Sequence, residues 1–353
     1  MTNSPNSVCQ RIRRFLLCCL CCAALASRCH GVGVPNLKIA QLVALSDVIA
    51  IAQVYEMRDA GTAAPILFRG ELLASETYVA DLDVRLTIKG SAPSHLSVKY
   101  SLPNTFIGYQ GLRQGTRMVF LRKKGNEFDL ADPYHPDLPA TTEARLALAQ
   151  GDYVAVVEHE MLAVIASSST AASQKSEILR FDYALPRGRS TVDALKSGLT
   201  NAGDEDLRQR IEGELVRFGD TSELPNIVSL LLRNSATSNQ RVWLLYLIGN
   251  NVSDPLAVPA LQPLLGSTHN PMREAAAQAL WHIGHPAAVQ SLAIALEDQD
   301  VSVRFYAVRG CADIANELGW GGPSESEFQE HEQQYLAHWR TWAKTYQGQK
   351  RAD

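Results

Sequence analysis

Hydrophobic and polar positions alternate along the first third of the chain and then change period. Asp47–Tyr55 (DVIAIAQVY) is rich in Val and Ile and predicts a buried strand. In Tyr78–Ile88, Val79, Leu82, Val84, Leu86 and Ile88 fall largely on one face, with Asp81, Asp83, Arg85 and Thr87 interleaved, a half-buried strand. Leu96–Tyr100 alternates in the same way, and Arg117–Leu121 is a short apolar strand after Gly115. Lys123-Lys124-Gly125-Asn126 is a turn that folds Glu127–Leu130 back as a hairpin. Leu37–Leu45 suits one short helix, Gly61–Pro65 reads as a loop, and Lys89–Pro93 as a turn. Several short strands separated by turns predict a small β-barrel or sandwich over residues 37–140.

Beyond residue 140 the period becomes helical. Thr141–Glu143 opens a run holding Ala144, Leu146, Ala147 and Leu148, and Tyr153–Ala166 continues at helical spacing. Ser167–Ser173 is polar and reads as a linker, and Asp193–Leu199 as a short helix. Residues 141–202 are therefore a helical linker or divergent repeats.

From residue 203 to 320 the chain repeats itself. Leu207-Arg208 leads to Phe218-Gly219, Arg241 leads to Ile248-Gly249, and Met272-Arg273 leads to Ile283-Gly284. The three glycines are 30 and 35 residues apart, and second apolar patterns follow at Leu224–Leu232, Leu256–Leu265 and Pro286–Leu296. Val301–Leu318 begins a further first helix, with Arg304 placed as Arg273 is, 31 residues on. A repeat of this length, each unit a helix pair, marks an α-solenoid, because one amphipathic pair cannot bury its apolar face without a neighbour. Gly219, Gly249 and Gly284 are read as ends of first helices, where the turn needs a left-handed residue. Asp298 and Asp300 form a polar cap before the next helix. Residues 321–346, with Tyr335, Trp339 and Trp342 on one helical face, suit a cap over the last open core, with an aromatic binding stripe as the other reading, and 347–353 read as a disordered tail. The fold class expected is α+β multidomain, a small N-terminal β-barrel or sandwich followed by a C-terminal α-solenoid.

The stretch Arg273–Gly284 (REAAAQALWHIG), followed by Pro286–Val289, Leu292, Ala295-Leu296, Asp298 and Val303-Arg304, resembles the HEAT repeats also seen in phycobilisome-lyase-like proteins. The units starting at Leu207 and near Arg241 match more loosely. The resemblance implies an α-solenoid and a protein-binding role; it carries no bilin site here. In such repeats an arginine placed like Arg273 and Arg304 ties neighbouring units through acids like Asp298. The N-terminal part resembles netrin/TIMP-type OB-like domains through Ser46–Ile49 with Val54, Val84 with Ile88-Lys89-Gly90, and Gly115 with Val119-Phe120-Leu121. Inhibitors of that type can set an N-terminal Cys on a protease zinc, a part that Cys29 would play.

The first residues carry an export pattern. Arg11, Arg13 and Arg14 precede a charge-free apolar run of 12 residues, Phe15–Ala26, ending in Ala24-Leu25-Ala26. The expectation is a signal peptide over 1–26, cut between Ala26 and Ser27, with retention as an anchor as the alternative. Cleavage leaves 30 basic against 37 acidic residues, a net charge of −7, which argues against nucleic acid or anionic lipid as partner. Five of the seven cysteines lie before the cut, so the mature chain keeps Cys29 and Cys311, too few for a disulfide framework.

His282 and His285 lack a third ligand and read as helix-end histidines. Glu158-His159-Glu160 lacks the second His of a zinc-protease helix, and His331 and His338 share no completing ligand. Asp81 and Asp83 alternate on a strand and face solvent. No catalytic, cofactor or metal residue is expected. The function read from this pattern is an exported, periplasmic or secreted, non-catalytic scaffold that holds a protein or peptide on its solenoid. The alternatives are a hydrolase or lyase with a site between the domains, and an inhibitor acting through the β-domain.

Overall fold

The computed structural model describes residues 38–105, 110–141, 151–180, 185–234 and 237–350. The signal segment with Ala26 and Ser27, Cys29, the run Ala144–Leu148 and residues 351–353 lie outside them. The chain divides into two compact units, one made of residues up to 160 with 182–184, the other of 161–181 and 185–353.

The first unit holds a short helix α1 (Ile39–Leu45) and six strands: β1 (Val48–Phe68), β2 (Glu71–Lys89), β3 (His95–Pro103), β4 (Gly115–Lys124), β5 (Glu127–Leu130) and β6 (Asp137–Pro139). Their order is β1-β2-β3-β5-β4-β6, and β1 pairs with β4 as well. All pairings are antiparallel except that of β3 with β5. The run of Val, Ile and Ala in β1 is buried on both faces. Val48, Ala50, Ala52 and Val54 meet Leu82, Val98, Tyr100, Val119 and Leu121, while Ile49 and Ile51 are buried on the opposite side.

The expected loop at Gly61–Pro65 is instead strand. β1 runs on to Phe68 and turns back through Arg69 and Gly70, both at positive φ (50° and 87°), into β2. Pairing of β1 with β4 ends at Val54↔Gly115, so Pro65 sits on an edge where no ladder bond needs its missing N–H. Three register shifts between Val54 and Ile66 take up the residues that looked like breakers.

The second unit is built of helices. Helix α2 (Tyr153–Ala166) spans the division, followed by α3 (Ala172–Arg180) and α4 (Arg189–Thr200). Ala172 and Ser173, read as linker, already belong to α3. Then come α5 (Glu205–Arg217), α6 (Leu224–Leu232), α7 (Ser238–Asn251), α8 (Val258–Leu265), α9 (Asn270–Ile283), α10 (Val289–Ala295), α11 (Val301–Ala315) and α12 (Glu325–Lys350). Helix α12 is kinked at His331, whose φ of −125° leaves the helical range, and it continues to Lys350.

First helices α5, α7, α9 and α11 pack on one another in sequence, and second helices α6, α8, α10 and α12 do the same. Their caps were written in the sequence. Asp204, Thr237 and Asp300 each accept a backbone N–H at the start of a first helix, and Asp254 and His285 do so before α8 and α10. One apolar core runs without a break from Val216 to Ala343, and Phe328, Leu336 and Trp339 of α12 close its end.

Candidate partner-binding surface

An arginine recurs at one fixed place of the repeat. Arg208, Arg241, Arg273 and Arg304 each stand four residues after the cap of a first helix, and each N–H bonds the carbonyl of the cap residue. Arg273 is buried; its Nε and Nη2 donate to the Asp298 carboxylate at 2.7 and 3.0 Å, and its Nη1 to the Ser267 carbonyl at 3.0 Å. Arg304 repeats the last contact on the Asp298 carbonyl at 2.8 Å, but its acid is Glu332 on α12. The Arg273 hydrogen bond holds Asp298 below the usual carboxylate range against the opposite pull of burial.

Gly219 and Gly284 sit just beyond α5 and α9 at φ of 82° and 55°, the left-handed turns expected of them. Gly249 does not end its helix, which continues to Asn251. It marks a close approach: a Cβ there would lie 2.5 Å from Gln278 Oε1, and its carbonyl accepts from His282 Nδ1 at 2.7 Å. Two glycines that the sequence reading passed over do the same work. A Cβ on Gly213 would lie 2.2 Å from the Trp243 ring, and one on Gly310 2.9 Å from the Leu292 methyls.

The other candidates resolve into structural roles. His285 caps Ala287, and His338 stacks on Trp320 with ring centroids 3.8 Å apart. The kink at His331 separates it from the helical run that carries His338. Glu160 accepts the N–H and hydroxyl of Thr141, and burial raises its pKa. Asp81 and Asp83 are half-exposed and bonded to Arg58, Ser97, Tyr55 and His95. Cys311 is buried, and burial pushes its thiol up to about 12. Trp339 is fully buried, while Tyr335 and Trp342 are partly buried against the same core.

What remains outward on the first helices is a mixed apolar and amide surface. Val242 and Tyr246, one turn apart on α7, are 70% and 64% exposed, large values for such side chains. Asn239 and Asn250 flank them, and Asn250 accepts from Gln278 of α9 at 3.2 Å. Further along, Arg309 lies 3.9 Å above the Trp281 ring, whose Nε1 donates to Asp313 at 2.7 Å. Between α3, α5 and α7 opens a cleft of about 200 Å³, lined by Ser176, Asp206, Gln209, Arg210, Gln240 and Trp243 among others. The β-unit has a wider one of about 430 Å³ that includes Lys99, Tyr100, Lys124 and Asp129, where Lys124 and Asp129 pair at 2.8 Å.

Stacked helix pairs sharing one core and leaving an outward surface define a helical-repeat protein of solenoid type. Residues 224–312, from α6 into α11, match the family model for HEAT repeats. No curated protein matches the chain. Among the described residues, no helix is long and apolar enough to cross a membrane.

Proposed function

We propose that the chain is a scaffold that holds partner proteins or peptides on its helical repeats. The observation that carries this is the HEAT-repeat match over residues that form stacked pairs, with Val242 and Tyr246 left exposed on α7. HEAT repeats generally mediate protein interactions, and stacked repeats offer extended surfaces for them. Binding, rather than turnover, is the role proposed. The displaced carboxylates Glu160, Glu212 and Glu214 are each shifted first by burial, and Glu160 is held by Thr141 and Glu214 by Arg217. The Arg273–Asp298 pairing supports a place near phycobilisome-lyase-type HEAT repeats.

For the N-terminal unit we propose an OB-type barrel. The strand order β1-β2-β3-β5-β4, with β4 pairing to β1 and β3 parallel to β5, supports that reading. The charged n-region, apolar run and Ala24-Leu25-Ala26 support export.

The test is affinity capture from the periplasmic fraction with the tagged full chain and with Val242→Glu/Tyr246→Glu. The wild type is expected to retain a reproducible set of proteins that the double variant loses while melting at the same temperature. Equal retention by both would remove the helical surface from the proposal.

A further inference from the structure

Arg309 of α11 carries a charge that no other described residue takes up. Its guanidinium carbon lies 3.9 Å above the Trp281 ring and 5.7 Å from the Phe305 ring centre, and no hydrogen bond or ion pair engages it among the described residues. Asp313, one turn on, is held instead by Trp281 Nε1 at 2.7 Å. Glu274 and Glu325 are close enough to act on Tyr306, as Arg309 is, yet neither pairs with Arg309. The Arg309 Nε is buried, and a Cβ on Gly322 would lie 3.6 Å from it. The two terminal nitrogens are not buried in this way, so the outer edge of the guanidinium faces solvent. Stacking on Trp281 holds the plane still, which lowers the entropy lost when a planar carboxylate binds that edge through both oxygens.

The place of Arg309 in the repeat determines what else a partner meets. Counted from Arg241, Arg273 and Arg304, the residue five further on is Tyr246 on α7, Gln278 on α9 and Arg309 on α11. These three helices pack in that order, so the residues form one row across them. Tyr246 is 64% exposed and Val242, a turn before it, 70%, which makes the α7 end of the row apolar. Gln278 donates from Nε2 to Asn250 at 3.2 Å and leaves the middle of the row neutral. The α11 end is cationic. Packed helices lie about 8–10 Å apart, so the two ends of the row are roughly 16–20 Å apart. An extended chain rises about 3.3 Å per residue and covers that span in about five or six residues.

We propose that the first-helix surface binds an extended segment of a partner protein in which an aliphatic or aromatic side chain and an Asp or Glu stand about five or six residues apart. The apolar side chain lies on Val242 and Tyr246, and the carboxylate accepts from the outer edge of Arg309. This rests on the scaffold reading and adds to it the sequence pattern of the partner.

The experiment selects a phage-displayed library of random decapeptides against the immobilised full chain. Wild type is expected to enrich peptides with an acid about five or six positions from an apolar residue. In the consensus peptide, exchange of the acid for its amide should weaken binding to wild type about tenfold, read by fluorescence anisotropy. On Arg309→Gln the same exchange should make no difference. Arg309→Lys keeps the charge but loses the planar fork, and should fall between the two, which covers the case where the glutamine disturbs the Trp281 stack. Tyr246→Glu should select peptides without the apolar position. The proposal is overturned if no pattern is enriched, if the spacing is random, or if lysine is selected in place of the acid. It is equally overturned if Arg309→Gln and Arg309→Lys still tell acid from amide as wild type does. Capture of the same periplasmic proteins by wild type and Arg309→Gln, with no acidic pattern selected, would end this inference and leave the scaffold reading standing. Loss of all capture by wild type would end the scaffold reading, while the peptide selection still decides the row.

Discussion

Gly213, Gly249 and Gly310 carry a constraint that no local pattern around them announces. Each occupies a helix interior, where glycine costs roughly 1 kcal/mol relative to alanine, so packing must repay its presence. The repayment differs from site to site. An added methyl at Gly213 meets the rigid Trp243 ring at 2.2 Å, whereas at Gly249 it meets the far end of Gln278, which can swing away at the loss of one bond to Asn250. Gly213→Ala is therefore expected to lower stability by about 1–3 kcal/mol, and Gly249→Ala by clearly less, in urea unfolding monitored by circular dichroism. Reversal of that order would contradict the role given to Trp243. Sequence reading placed Gly249 correctly on the repeat but assigned it a turn, since periodic glycines at helix ends and at helix crossings look alike in one dimension. Gln209, Glu212 and Lys175 were invisible for another reason: polar residue types predict exposure, yet all three are buried between helices.

First helices of the repeat region were legible where a side-chain cap opens them, as Asp300 does for α11. Helix α3 escaped notice because ASQKSEILR offers few apolar positions. The β1–β2 ribbon escaped in part because Gly61 and Pro65 are breakers in a central strand and tolerable on an edge. Helix α12 was recognised from the spacing of Tyr335, Trp339 and Trp342. Its task is to cover the core left open beyond α10 and α11, and Trp339, with no measurable exposure, contributes most to that cover. Trp339→Ala should cost about 3–5 kcal/mol, with the loss reported by urea unfolding and by uptake of a hydrophobic dye at the exposed end of the stack. A change below about 1 kcal/mol would mean that α12 is not a structural cap.

At the scale of the whole molecule, buried ionisable groups pull stability in opposite directions with pH. Burial, helped by the charge of Glu223, lifts Glu212 from 4.5 to about 7. Its contribution is complete below 4.5 and is lost as pH rises through about 7. Asp298 and Asp220 behave oppositely: burial would raise them, but bonds to Arg273 and to Lys196 with Ser222 outweigh it. Their contribution is present above 3.8 and is lost as pH falls through their lowered values. The Glu212 part of the melting temperature is thus expected to fall as pH rises from 4.5 through about 7. Glu212→Gln should remove much of that fall, at most about 3 kcal/mol and less where water screens the carboxylate. An unchanged slope in the variant would show that Glu212 titrates normally. Cys311 adds a different property to the same stack. Its thiol is sealed in the core on α11, within the final helix pair, and stays protonated at neutral pH. A maleimide can reach it only during a transient opening of that end. With the remaining cysteines replaced by serine, the labelling rate would count those excursions, giving the array its own clock for fraying.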